Sequence, residues 1–238
     1  MARIDVRGRI IPNDYKFYFD FFGEDSTCPR DIRKVLDTIQ PGEPIEVYVN
    51  SGGGVIDVGS EIYTLLRTAA AGHDVKIYVI GEACSAASVI AMAAYCEMSP
   101  TALMMVHCTS TSARGNHTAL EHTAGVLATA DKALCTAYME KTGLTEEEIL
   151  EMMEQETWLT AAQAKEKGLI DAVMFEEKEP EAPVTMAASM FQLPSAEQMA
   201  EVRKLIDGEK GKQEEKELKE KKAAECRWKL LAMRQRRN

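Results

Sequence analysis

The stretch from Val75 to Tyr95 limits the fold more than any other part of the chain. VKIYVI (Val75–Ile80) reads as a buried strand, GEACSAAS follows with small residues, and Ser85 to Tyr95 is an almost wholly apolar helix. A strand and a helix that are both apolar must be enclosed by further layers, which places this unit at the centre of a layered domain. The flanking segments supply those layers. Apolar residues alternate over Arg3–Ile11 and give way to Pro12, Asn13 and Asp14, a strand and its turn. Ile32, Val35, Leu36 and Ile39 lie at helical spacing within Pro29–Ile39, which Gln40-Pro41-Gly42 ends. Ile45–Asn50 reads as a strand, Ile56–Thr68 as a helix and Ala102–Cys108 as another strand. Strands that alternate with helices predict an α/β domain with a parallel sheet covered by helices.

Further along, a long helix is expected from about Thr118 to Lys141, ending at Gly143, and Thr145 with Glu148 forms a capping box that starts another. A short helix, the cap Gly168 and a last strand close the domain at Val173. The compact domain should therefore occupy residues 1–175. Glu176–Pro183 is acidic and contains proline, so residues 176–194 read as a linker. Ser195–Ile206 is a candidate amphipathic helix, and the Lys- and Glu-rich tail over 195–238 reads as a solvated helix or a disordered segment.

The net charge of -10 argues against nucleic acid as a partner, Arg234, Arg236 and Arg237 being a local exception. No apolar run reaches the ~18 residues of a membrane span, and MARIDVRGRI lacks a signal-peptide core, so a cytoplasmic protein with no membrane partner is expected. The six cysteines form no CxxC pair and no His/Cys cluster has metal-site spacing, so neither a metal nor another cofactor is expected.

Three places carry residues suited to chemistry. Asn50-Ser51-Gly52-Gly53-Gly54 lies between a strand and a helix, where glycines let a ligand approach and backbone N–H groups can cradle an oxyanion; an ordinary tight turn would look the same. It lacks the GK[ST] ending of a phosphate-binding loop. At Gly81–Ser88, Ser85 sits where a strand turns into a helix, with its hydroxyl pointing out of the turn beside the N–H of Ala86; it either serves as a nucleophile or simply caps the helix. Its neighbour Cys84 is the other candidate nucleophile. His107 ends a strand and can reach the end of the next one, as a general base or as a structural histidine. His73, His117 and His122 fall in a turn, a loop and an exposed helix start, and are weaker candidates.

Taken together, Asn50–Gly54, Gly81–Ser85 and Met105-Val106-His107 resemble, in this order, the glycine turn, the Gly-x-Ala-x-Ser turn and the Met-Ile-His strand end of the Clp proteolytic subunit family. Glu156–Ala161 and Gly168–Asp171 resemble the acid-bearing segment and closing strand of the same family, so the likeness spans about residues 3–175. It implies a ClpP/crotonase-like spiral of ββα units and a serine peptidase, with Ser85 as nucleophile, His107 as base and Glu156 at the position of the family's aspartate. Asp171 is the alternative acid. Gly54 and Ala86 would supply the oxyanion-hole N–H groups, and Gly53 would line the substrate site.

The resemblance also implies protein or peptide substrates and a homo-oligomeric ring, or two stacked rings, meeting through the Thr118–Lys141 helix. Gly52 replaces the family's usual proline, and the chain starts almost on its first strand, which weighs against dependence on an ATPase partner. RIIPND, the triple glycine and Ser88–Ala93 more closely resemble the Clp-related prohead proteases of tailed bacteriophages, which process capsid or scaffold protein. A cytoplasmic or prohead location would follow. Two other classes compete: an acyl-CoA enzyme of the crotonase fold, and a scaffold or adaptor that has lost activity.

Overall fold

The computed structural model describes residues 1–176 and Lys204. The chain divides into two units, Met1–Glu177 and Lys178–Asn238, and the fold below is that of the first. The expected linker beyond Glu176 and the charged tail, Lys204 apart, lie outside the described residues.

In chain order the elements are β1 (Ala2–Ile10), a 3-10 turn (Asn13–Tyr15), α1 (Lys16–Phe22), β2 (Ser26–Thr27), α2 (Pro29–Leu36), β3 (Ile45–Gly54), α3 (Ile56–Ala69) and β4 (Val75–Cys84). There follow α4 (Ala86–Ala91), β5 (Tyr95–Met98), β6 (Leu103–Val106), α5 (His117–Thr142), α6 (Glu146–Glu154), β7 (Thr157–Thr160), α7 (Ala161–Glu166) and β8 (Ala172–Val173). The sheet runs β2-β1-β3-β4-β5-β8, with every pair on this path parallel.

Strand β4 organises this sheet because it is long enough to hold two partners on one edge. Lys76–Val79 pair with β5, and Glu82–Cys84 pair with β6. β6 in turn carries β7 antiparallel to it, the one departure from the expected parallel arrangement among the described strands. The fold is thus α/β with a largely parallel sheet, and its core face is lined by Ile4, Val6, Val47, Val49, Ile77 and Val79 from the three central strands. Each such fully buried aliphatic side chain contributes about 2 kcal/mol by leaving water.

Two irregularities shape the strand ends that face α4. β3 slips register against β4 between Val49 and Ser51, and β1 slips against β3 between Arg7 and Arg9. Asn50 fills the first slip: its Oδ1 accepts the Glu82 N–H at 3.2 Å, and it lies so close to Gly81 that a Cβ there would sit 2.2 Å away. Ser51 spans the second, donating to Gly8 O at 2.6 Å while its Oγ accepts the Gly53 N–H at 3.1 Å. These side chains bind β1, β3 and β4 together just before the glycine turn.

The helix expected over Ser85–Tyr95 is shorter than the apolar run. It ends at Ala91, and Tyr95–Met98 pairs as a strand instead. Conversely, the strands expected to stop at Asn50 and Ile80 continue to Gly54 and Cys84. The long helix appears as α5, whose buried residues Asp131, Cys135, Ala137 and Tyr138 all lie in its second half. Among the described residues no helix is long and apolar enough to cross a membrane.

Candidate active site

Ser85 stands at the junction of β4 and α4. Its N–H donates to Met105 O at 3.0 Å, which extends the β4–β6 pairing by one bond and fixes the serine against β6. It adopts φ 56 and ψ -126, a conformation rare for a residue with a side chain and costing about 1–3 kcal/mol. Its side chain makes no capping bond to α4, so the helix-cap alternative finds no support. The amide of Ala86 begins the helix and belongs to the turn whose N–H groups have no acceptor within the helix.

His107 lies one residue beyond β6. It lines a cavity of about 70 Å³ together with Ser85, Ala86, Gly54, Thr109 and Tyr138, so one small space holds the serine, the imidazole and both glycine-turn and helix-start backbones. Ser85 and His107 share this cavity without a direct hydrogen bond between their side chains. A larger cleft of about 620 Å³ adjoins it, sharing Gly54, Ile56 and Ser110 and lined further by Val126 and Leu127 of α5.

The glycine turn meets the serine directly. Gly53 takes φ 95, and a Cβ there would lie 2.6 Å from Cys84 O and 2.7 Å from Ser85 Cβ. At Gly54 a Cβ would lie 2.1 Å from Ile10 O. Both positions therefore exclude side chains, and the backbone of β3 can pass close to the Ser85 turn.

Glu156 lies in the turn just before β7, outside the lining of the cavity that holds Ser85 and His107. The antiparallel ladder runs from Leu103↔Thr160 to Val106↔Thr157 and stops there, so His107 follows β6 and Glu156 precedes β7. Met153 O accepts both the Cys108 N–H at 3.1 Å and the Glu156 N–H at 3.2 Å, which ties the two chain segments at one point. Glu156 has φ 48 and is exposed, and its Oε1 accepts the Trp158 indole N–H at 3.2 Å.

Asp171 is engaged elsewhere. Its Oδ2 accepts the Cys96 N–H at 2.7 Å and pairs with the Lys141 ammonium, beside a separate cavity that also holds His73 and Tyr95. His73 is bonded through Nδ1 to Glu43 O at 2.9 Å, and His117 and His122 are exposed on α5. Neither candidate acid, Glu156 or Asp171, and none of these three histidines lines the cavity that holds Ser85.

Cys84 is 2% exposed, and burial first, then the charge of Glu82, pushes its thiol up to about 12. The thiolate required of a nucleophilic cysteine is therefore absent at neutral pH. Cys84→Ala is expected to keep hydrolytic activity within about threefold of the parent, and iodoacetamide at pH 7.5 should not inactivate through this residue, as peptide mapping would show.

Three polar residues near the site have no counterpart in the sequence expectations. Ser88 donates to Ser85 O at 2.7 Å and is bonded to the Tyr138 hydroxyl at 2.7 Å. Asp131 accepts the Thr109 N–H at 2.6 Å, which anchors the segment after His107 to α5. Asp131 and Tyr138 are seven residues apart and so share a helix face, but only the tertiary fold shows what that face meets. Among the described residues no group of three or more His, Cys, Asp or Glu side chains is arranged to hold a metal ion.

Residues 33–177 match the Clp protease family. The ATP-dependent Clp protease proteolytic subunit 1 of Chlamydia abortus is 29% identical over 178 residues, spanning 72% of this chain and 92% of that protein. The corresponding subunit of Bacteroides fragilis is 32% identical over 142 residues, 58% of this chain and 68% of that one. A ClpP1 variant from Listeria monocytogenes has the same fold, with a TM-score of 0.59 at 19% identity over 74% of this chain and 92% of that structure. A serine held on a strained strand-to-helix turn, an imidazole in the same cavity and a family match over most of the described domain agree: the chain belongs to the Clp protease family of serine peptidases.

Proposed function

We propose that this protein hydrolyses peptide bonds with Ser85, His107 and Glu156, and that its substrates are capsid or scaffold proteins of an assembling phage head. The observation that carries the chemistry is the cavity shared by Ser85, His107, Gly54 and Ala86. The Ser85 oxygen attacks the scissile carbonyl carbon, and its proton passes to the imidazole of His107. The oxyanion receives the N–H groups of Gly54 and Ala86. The C–N bond then breaks, the departing amine takes the proton from His107, and the acyl group remains on Ser85. Water attacks this ester, gives a proton to His107, and the imidazole returns it to the serine as the acid product leaves. A fluorophosphonate probe should label Ser85 in the parent and fail to label His107→Ala; folded parent protein that takes no label would overturn the proposal.

Glu156 is exposed, so solvent dilutes its hold on the imidazole more than for a buried aspartate. Glu156→Gln is expected to lower kcat by about 10²-fold with little change in KM, and Glu156→Asp to keep more activity than Glu156→Gln. Equal activity in all three forms, measured on one fluorogenic peptide, would remove Glu156 from the mechanism.

The assembly role rests on the likeness of RIIPND, the triple glycine and Ser88–Ala93 to prohead proteases. A homo-oligomeric ring would confine the site, and the Lys- and Glu-rich tail over 195–238 would tether the enzyme to scaffold. A second reading, general proteolysis beside an ATPase unfoldase, is favoured by relatives that are ATP-dependent Clp protease proteolytic subunits. Co-expression with the capsid and scaffold genes of the same locus separates the two. Site-specific cleavage of those proteins without ATP supports the assembly role, and cleavage only with an unfoldase and ATP supports the other.

A further inference from the structure

Behind the nucleophile turn, away from its solvent side, two hydroxyls form a chain that leads to a different element. Ser88 is fully buried and Tyr138 is 2% exposed. Ser88 Oγ lies 2.7 Å from Ser85 O, a carbonyl that can only accept, so the single proton of Ser88 is used there. The Tyr138 hydroxyl, 2.7 Å from Ser88 Oγ, is then the donor of the second bond. The order Tyr138 to Ser88 to Ser85 is thereby fixed. Burial also raises the Tyr138 phenol above its ordinary range, which keeps its proton in place.

The carbonyl at the end of this chain shares a peptide plane with the N–H of Ala86. A trans peptide points its C=O and N–H in opposite directions, so holding one aims the other. Ser85 O also accepts the N–H groups of Ser88 at 2.9 Å and Val89 at 3.3 Å, but those come from α4 itself and bind the turn only to its own helix. The hydroxyl chain is the link that holds this peptide from α5, whose Tyr138 also lines the cavity of Ser85 and His107.

Resting on the peptidase reading above, we propose that Ser88 and Tyr138 are positioning residues, which together aim the Ala86 N–H at the developing oxyanion and hold Ser85 in register with His107. Neither touches the reacting atoms; they act through the Ser85–Ala86 peptide. Asp131 anchors Thr109 from the same helix, so α5 braces the backbone on both sides of the serine–imidazole pair.

The test uses the full chain, with a fluorophosphonate probe as the reagent, comparing the parent with Ser88→Ala, Tyr138→Phe, the double variant and Ser85→Ala. The maximal labelling rate constant is expected to fall about tenfold in each single variant, with the half-saturating probe concentration and the final labelling stoichiometry unchanged. Because the two hydroxyls act in series, the double variant should react no more slowly than Ser88→Ala. A parent-like rate constant, additive losses, or reduced stoichiometry at an unchanged rate constant would each overturn the inference, the last by showing a purely structural role. Tyr138→Phe removes one oxygen and keeps the ring, so it decides the matter alone if Ser88→Ala does not fold. If Ser85→Ala takes the probe as fast as the parent, the peptidase reading itself fails. If it takes none while both relay variants react normally, only this inference fails.

Discussion

Ser85→Ala is expected to cut peptide-bond hydrolysis by on the order of 10⁶-fold, because a triad acts as a unit and loses nearly all its advantage with any central member. Its stability should stay within about 0.5 kcal/mol of the parent, since alanine tolerates φ 56 no better than serine and the serine makes no capping bond. Ser85→Gly should be equally inactive and yet more stable. Glycine adopts this backbone without steric cost, and the relief of about 1–3 kcal/mol exceeds the chain entropy that glycine adds. A net gain of about 1 kcal/mol corresponds to a Tm higher by roughly 2–4 °C for a domain of this size. Turnover of a fluorogenic peptide and calorimetry on the three proteins check both halves. Residual activity within 100-fold of the parent in Ser85→Ala would refute the assignment, and a lower Tm in Ser85→Gly would show that the turn is not under strain.

Gly53→Ala should damage both activity and folding. The added Cβ would meet Cys84 O at 2.6 Å and Ser85 Cβ at 2.7 Å, atoms that cannot rotate away, and φ 95 is itself unfavourable for alanine. Relief requires β3 to withdraw from the Ser85 turn, which carries the Gly54 N–H away from the proposed oxyanion position. Turnover is expected to fall about 10³-fold and stability by about 2–4 kcal/mol. Gly52→Ala is the matched control. It takes no positive φ, and its Cβ would meet only the flexible end of Glu82 at 3.3 Å, so activity within about threefold of the parent is expected. Urea denaturation and peptide turnover of both variants decide the point; equal behaviour at residues 52 and 53 would dismiss the close-approach argument.

The sequence made the α/β class legible because Val75–Ile80, Ile45–Asn50 and Ala102–Cys108 are compact apolar runs separated by helical spacing. It was less informative where periodicity vanishes. Ser85–Tyr95 is apolar throughout, so nothing local marks Ala91 as the end of α4 or Tyr95 as the start of β5; pairing with β4 and β8 settles both. The extensions of β3 and β4 run through glycines, which are weak strand formers and become strand only by pairing across the sheet. Helix α1 carries KFYFDFF, aromatic on most of its surface, and gave no amphipathic pattern to read.

At the site, Ser85 and His107 could be found in sequence because each ends an element. Glu156 came through the resemblance alone, and its place just before β7, one residue beyond the Val106↔Thr157 pair, appears only once β6 and β7 are paired. Ser88 and Tyr138 lie fifty residues apart, and no spacing rule joins them.

The carbonyl of Met153 has a mechanical consequence. Since it receives the amides of Cys108 and Glu156, thermal displacement of the end of α6 carries the segment after His107 and the start of β7 along together. The separation of these two backbone segments is insulated from that motion. The chain is thereby pinned immediately before and immediately after the imidazole, so drift within this enclosure should come from rotation of the ring more than from travel of its backbone.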